Sequence, residues 1–191
     1  MPAGSPAVAP SRVLRGASST ATEAGRVIAI DPSLRNTGYA ILQSTGGKFT
    51  ALDYGVIHNP PALLPSGCLV TIHAKVRELI EEHRPECAAF ESIIFVQSMR
   101  TAITLGTARG AALLAAAQLG LAIHEYAPRR VKQSVVGRGA AQKGQVAFMV
   151  RALLGLTETP PADAADALAI GLTYFQTARS AAHGVAAMER I

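Results

Sequence analysis

The amino-acid order predicts one α/β domain on a mixed sheet: a three-strand antiparallel meander followed by parallel strands, with helices on both faces. Three observations carry this. Val27 to Ile30 form an uninterrupted apolar run ending in Asp31, and a second apolar run, Tyr39 to Leu42, follows a turn punctuated by Pro32 and Gly38. Phe49 to His58 then supplies a third β-rich stretch, bounded by Gly46-Gly47 and Pro60-Pro61. Beyond it, helical and short apolar segments alternate to the end of the chain. With 191 residues and 49% hydrophobic content, the chain can bury one proper core but is too short for two domains of ordinary size.

In chain order, Met1 to Gly25 is rich in Ala, Ser, Pro and Gly, lacks periodicity and has no apolar signal core, so a disordered tail over 1–25 is expected. The folded domain is expected over 26–178, with a second tail over 179–191. Leu69, Ile72, Val76, Leu79 and Ile80 recur at helical spacing before Pro85. Cys87 to Phe90 reads as a strand ending in Glu91. Met99 to Gln118 is a helix of small residues and Leu, suited to close approach of a neighbouring element or a second subunit. Leu121 to Tyr126 returns as a strand, and Val131 to Val136 forms a short helix. After the Gly137-Arg138-Gly139 loop, Gln142 to Leu154 is a helix with Val146, Met149, Val150 and Leu153 on one face. Pro160-Pro161 precedes a last helix from about Ala162 to Thr177.

Cys68 and Cys87 belong to no Cys/His cluster, which argues against a zinc site or a disulfide framework and for buried free thiols. The apolar run Gly110 to Ile123 is shorter than a membrane span needs, and no membrane partner is expected. The net charge of +5 is concentrated: Arg129, Arg130, Lys132, Arg138, Lys143 and Arg151 lie between Tyr126 and Thr157, a stretch without a single acid. Such a concentration is the footprint of a polyanion-binding face.

Four acids stand out against that background. Asp31 and Glu91 each end a buried strand, where a carboxylate is costly to desolvate unless a cation compensates it. Asp163 and Asp166 sit three apart at the start of the last helix, so their side chains project together. Acids in a first helical turn also serve the helix dipole, which alone would explain Asp163. The apolar neighbours of Asp166 favour a cation site. An all-oxygen set of four carboxylates suits two Mg²⁺ ions, which can clamp both oxygens of a phosphodiester displacement. With the basic segment, the chemistry indicated is metal-assisted nucleic-acid hydrolysis.

Taken together, four stretches resemble the RuvC crossover junction endodeoxyribonucleases of the RNase H-like superfamily. They are Ile30 to Ala40 (Ile-Asp-Pro-Ser-Leu-Arg-Asn-Thr-Gly-Tyr-Ala), Glu91 with the segment through Leu105-Gly106-Thr107-Ala108-Arg109-Gly110, Tyr126 to Gln133, and Asp163 to Ala169. The resemblance covers about Arg26 to Phe175 and implies an RNase H-like fold. It implies that Asp31, Glu91, Asp163 and Asp166 hold two Mg²⁺ per subunit, with Mn²⁺ able to substitute, and that Lys143 lies near the scissile phosphate. It further implies a homodimer that binds a four-way DNA junction and nicks two opposed strands symmetrically, leaving 5′-phosphate and 3′-hydroxyl ends. RuvA and RuvB branch-migration proteins would be its partners, in the bacterial cytoplasm. Arg129, Arg130, Lys132, Arg138, Lys143 and Arg100 are the expected phosphate contacts.

Two positions depart from the family pattern. Ser33 stands where Gly is usual, and Ile94 stands where Phe is usual three residues beyond the Glu. Phe95 is expected to reach opened bases, with Ile94 supporting its loop. An actin-like or sugar-kinase-like ATP-binding fold would need a second lobe and a second phosphate loop. A non-catalytic DNA-binding module would not need all four acids, while a nuclease acting on structured RNA would differ only in substrate.

Overall fold

The structure, a computed structural model, describes residues 25–94, 98–182 and 191. Five strands form one sheet: β1 (Gly25–Asp31), β2 (Asn36–Thr45), β3 (Lys48–His58), β4 (Cys87–Glu91) and β5 (Ala122–Tyr126), in the order β3-β2-β1-β4-β5. β1 pairs antiparallel with β2 and β2 with β3, whereas β1/β4 and β4/β5 are parallel. The expected meander and the switch to parallel pairing are both present.

Among the described residues, five helices cover the sheet: α1 (Pro65–His83), α2 (Met99–Gln118), α3 (Pro128–Val136), α4 (Lys143–Leu154) and α5 (Ala162–Ala182). Alternation along the strands divides the core in two. Ile28 and Ile30 of β1 and Ala88 and Phe90 of β4 face α1 and α2. Val27, Ala29, Cys87 and Ala89 face α3, α4 and α5. Val27 to Ile30 are fully buried, as expected for a strand covered on both faces. Both cysteines are buried and neither is in a disulfide. Among the described residues, no helix is long and apolar enough to cross a membrane.

The same alternation places the acids. Asp31 and Glu91 each follow a residue that points into the α1/α2 core, so both point to the opposite face, at the adjacent C-terminal ends of β1 and β4. α5 packs across that face, its Ala164, Ala165, Ala167 and Leu168 buried as expected. Small residues set how close it comes. A Cβ on Gly171 would stand 2.1 Å from Leu42 Cδ1, so any larger residue would displace that side chain where the helix crosses β2.

Several boundaries differ from the sequence expectation. Gly38 lies inside β2, opposite Asp31 in the β1/β2 register, and is not part of the turn. α3 begins at Pro128, which suits the first helical position because its missing N–H is not needed there. Leu153 is 42% exposed while Val146 and Val150 are buried, so the inward face of α4 is narrower than expected. α5 continues past Thr177 to Ala182, because nothing in Ala178 to Ala182 breaks a helix. The expected N-terminal tail through Ala24 and residues 183–190 lie outside the described residues, as does Phe95.

Candidate nuclease site

The site is built where three elements converge. β1 and β4 end side by side in Asp31 and Glu91, and the first turn of α5 brings Asp163 and Asp166 over them. Gly38 makes this approach possible, because the backbone of Asp163 lies directly against its Cα. Behind Asp31, the turn is closed by Thr37, a fully buried residue. Its hydroxyl donates to the Ser33 carbonyl at 2.6 Å and accepts from the Ser33 N–H at 3.2 Å. The backbone at Ser33 therefore carries a side chain without disturbing the loop. Arg35 anchors the far side of the turn, donating to the carbonyls of Pro60 at 2.7 Å and Leu63 at 3.0 Å.

The four acids share one electrostatic environment. Burial pushes the Asp31 carboxyl up to about 7, and the charges of Glu91, Asp166 and Asp163 add to the rise while Lys143 opposes it. Glu91 is also raised, by burial and by Asp166, against the pull of Lys143 and Lys132. Lys143, at the start of α4, donates from Nζ to Asp166 Oδ2 at 2.9 Å, and that bond together with the nearby carboxylates raises its own pKa. Lys143 thus bears on Asp31, Glu91 and Asp166 together, and Lys132 on Glu91 as well.

The fit of a metal rests on the chemistry of these donors. Among the described residues, no three His, Cys, Asp or Glu side chains stand at joint ligating distance. The donor chemistry nevertheless fits a hard divalent cation: every candidate is a carboxylate oxygen, and the elevated Asp31 carboxyl marks charge that a cation would relieve. Among the described residues, no His or Cys side chain lines the site beside these acids.

Two clefts open from the carboxylates. One, of about 370 Å³, runs from Asp31 and Glu91 between Ile93, Ile94, Leu105 and Arg129. The other, of about 280 Å³, runs from the same two acids past Asp166 to Lys132 and Lys143. Of the basic residues expected to face phosphate, the structure brings Arg129, Lys132 and Lys143 to these clefts. Arg130 turns away toward α5, where its Nη2 donates to Thr177 Oγ1 at 3.2 Å. Arg138 and Arg100 are exposed and line neither cleft. Arg151 lies over the Phe148 ring, 5.9 Å from its centroid. Ile94 is 66% exposed at the mouth of the first cleft, while its neighbour Phe95 falls outside the described residues.

Sequence patterns did not single out the Arg109–Glu125 ion pair behind the site. Arg109 of α2 is buried, pairs with Glu125 of β5, and lies 5.4 Å from the Phe90 ring centroid, next to Glu91. Arg109 falls inside the second of the four family-like stretches, but nothing in the sequence points to Glu125 as its partner.

A five-stranded mixed sheet with acids at the ends of two adjacent parallel strands and at the start of a crossing helix defines an RNase H-like nuclease domain. The family model described as "Crossover junction endodeoxyribonuclease RuvC" matches residues 27–174. A curated crossover junction endodeoxyribonuclease RuvC of Akkermansia muciniphila is 56% identical over 153 residues, covering 80% of this chain and 92% of that protein. The solved structure of Thermus thermophilus RuvC in complex with Holliday junction substrate superposes with a TM-score of 0.78 at 36% identity, covering 87% of this chain and 99% of that one. The yeast mitochondrial Holliday junction resolvase, 13% identical over 84% of this chain and 82% of its own, shares the fold with a TM-score of 0.63. The chain belongs to the RuvC crossover junction endodeoxyribonuclease family.

Proposed function

We propose that the protein resolves four-way DNA junctions by paired, metal-dependent nicks that leave 5′-phosphate and 3′-hydroxyl ends. Family membership carries phosphodiester hydrolysis with it. The observation that carries the site assignment is the convergence of Asp31, Glu91, Asp163 and Asp166, with Lys143 donating to Asp166 and Lys132 in the same cleft. In this reading Asp31, Glu91, Asp163 and Asp166 would hold two Mg²⁺ per subunit, with Mn²⁺ able to substitute. When bound, the metals supply Lewis-acid charge to the attacking and leaving oxygens of the phosphodiester.

The chain's own residues do the rest. Lys143 presents an ammonium beside Asp166, in position to neutralise charge developing on the phosphate oxygens. Arg129 and Lys132 hold the phosphate backbone in the two clefts, with Arg138 and Arg100 as outer contacts. Ile93, Ile94 and Leu105 give the first cleft apolar walls that exclude water and pack against a sugar or base. Phe95 is assigned to opened bases at the crossover, with Ile94 supporting its loop.

The active form in this proposal is a homodimer through α2. Met99, Ile103 and Leu114 are 77%, 60% and 53% exposed and share one helical face with Gly106 and Gly110, beside which nothing stands within 4 Å. Such a face supports a two-fold contact, which would set two identical sites on the two-fold axis of an open junction. The working unit is the nuclease domain over 26–178 with its two tails. RuvA and RuvB would be its partners, in the cytoplasm. The test is incubation with labelled four-way junction, duplex and flap DNA, with and without Mg²⁺. Symmetric cuts in the junction alone, dependent on Mg²⁺, are expected; equal cutting of plain duplex would contradict the proposal.

A further inference from the structure

The basic helix α3 has two flanks. Arg129 and Lys132 turn to the carboxylate clefts, whereas Arg130 and Ser134, about 100° and 140° further round the helix from Arg129, line a neighbouring flank together with Gln133. There they form, with Gln176, Thr177 and Ser180 of α5, a separate cleft of about 290 Å³.

The chemistry of this cleft is specific. Among the described residues its one charged group is the Arg130 guanidinium, and its other walls are hydroxyls and amides. Among the described residues, no carboxylate pairs with Arg130. The walls are held in place by their own hydrogen bonds: Ser134 Oγ donates to Gln176 Oε1, and Ser180 Oγ donates to the Gln176 carbonyl. Arg130 Nη2 donates to Thr177 Oγ1, which fixes the guanidinium plane and leaves four of its five N–H groups free of the α5 contact. The Thr177 hydroxyl also bonds the Tyr126 side chain, so Arg130 is the group with donors to spare. A guanidinium fork among neutral hydroxyls and amides, without a competing acid, is suited to a phosphate oxyanion.

We infer that the α3/α5 cleft is a phosphate-binding subsite separate from the carboxylate centre, with Arg130 as its cation. This rests on the reading of DNA as the substrate for the source of that phosphate. Thr177 lies eleven residues along α5 from Asp166, about 16 Å at the helical rise. At about 3.4 Å per step, that is about five base pairs of duplex. The phosphate taken up is therefore one on a junction arm, away from the step that is cut.

The test uses the full chain. Junction affinity is measured over a salt series for wild type, Arg130→Gln, Arg130→Lys and, as a cleft-side control, Lys132→Gln. In parallel, inorganic phosphate is titrated calorimetrically at constant ionic strength into wild type and Arg130→Gln. A slope of log K against log salt that becomes shallower by about one unit in Arg130→Gln, and is retained in Arg130→Lys, identifies a DNA phosphate. An unchanged slope with phosphate binding lost only in Arg130→Gln also upholds the subsite and assigns it to free phosphate. If Arg130→Gln alters neither measurement while Lys132→Gln lowers the slope, the subsite is refuted and the DNA reading stands. If wild type does not bind the junction, the DNA reading fails, and the phosphate titration alone decides the subsite.

Discussion

Gly38 lies so close beneath the first turn of α5 that a Cβ placed on it would stand 2.0 Å from the carbonyl oxygen of Asp163 and 2.6 Å from its carbonyl carbon. The clash is with backbone, so no side-chain rotation can relieve it. Because Gly38 also pairs with Asp31 across β1 and β2, one hydrogen-sized gap sets the spacing between a strand-end acid and the two helix acids. Gly38→Ala should force α5 outward. The expected result is a stability loss of about 1–3 kcal/mol, typical of overpacking. The nicking rate should fall much further, by about 100-fold or more, because the carboxylates no longer converge. Thermal melting and a junction-cleavage time course, measured on the same preparation, check both parts.

The position of that glycine shows what the sequence can and cannot convey. A glycine after an apolar strand reads as turn punctuation, since spacing along one segment says nothing about a helix more than a hundred residues later that will lie on it. The strand-end acids were legible because apolar runs stop at Asp31 and Glu91, and alternation then fixes the face to which they point. Arg129, Arg130 and Lys132 look equivalent in a basic stretch, yet they diverge once α3 starts at Pro128 and its turn sends Arg130 to the other flank. Arg109 was hidden for a different reason. Its partner Glu125 is on another element, and a lone cation in an Ala-rich helix carries no periodic signal.

Asp31 links pH to stability in the metal-free protein. Its folded-state pKa of about 7 lies above the ordinary value of 3.8, so between these pH values the native state binds more protons than the unfolded state. Stability contributed by the protonated carboxyl is complete below about pH 4 and is lost as pH rises through about 7. Glu91 is shifted in the same direction and adds to the trend. Metal-free protein should therefore melt lower at about pH 8 than at about pH 5.5. Mg²⁺ should raise the melting temperature more at the higher pH, where the carboxylates are ionised and ready to bind it. Calorimetric scans at both pH values, with EDTA or with Mg²⁺, measure this; an equal Mg²⁺ effect at the two would contradict it.

Arg109 and Glu125 form a largely buried ion pair, their side chains 10% and 23% exposed. Removing one partner strands the other charge. Arg109→Ala should cost on the order of 3–5 kcal/mol of unfolding free energy. Replacing both partners with apolar residues, Arg109→Met with Glu125→Leu, should recover most of that loss. Denaturant unfolding of the three proteins tests the contrast, and a double variant no more stable than the single would show that the pair does more than offset its own desolvation.

Lys143 reaches Asp166 from an exposed position, its side chain 73% accessible. Its ammonium is needed where phosphate charge develops more than where DNA docks. Lys143→Ala should lower the single-turnover cleavage rate by about 10²–10³. Junction affinity should weaken only by the equivalent of one phosphate contact. Rapid-quench cleavage and a salt-resolved binding series separate the two effects.

The central claim is that Asp31, Glu91, Asp163 and Asp166 serve the chemistry rather than the docking of DNA. Asp31→Asn, Glu91→Gln, Asp163→Asn and Asp166→Asn each remove one negative charge, which cannot weaken attraction to phosphate. The most direct measurement follows binding and Mg²⁺-dependent nicking of one labelled four-way junction by wild type and by each variant. The account predicts junction binding equal to or tighter than wild type, with nicking abolished in all four. Wild-type nicking rates in any two of the variants would contradict it.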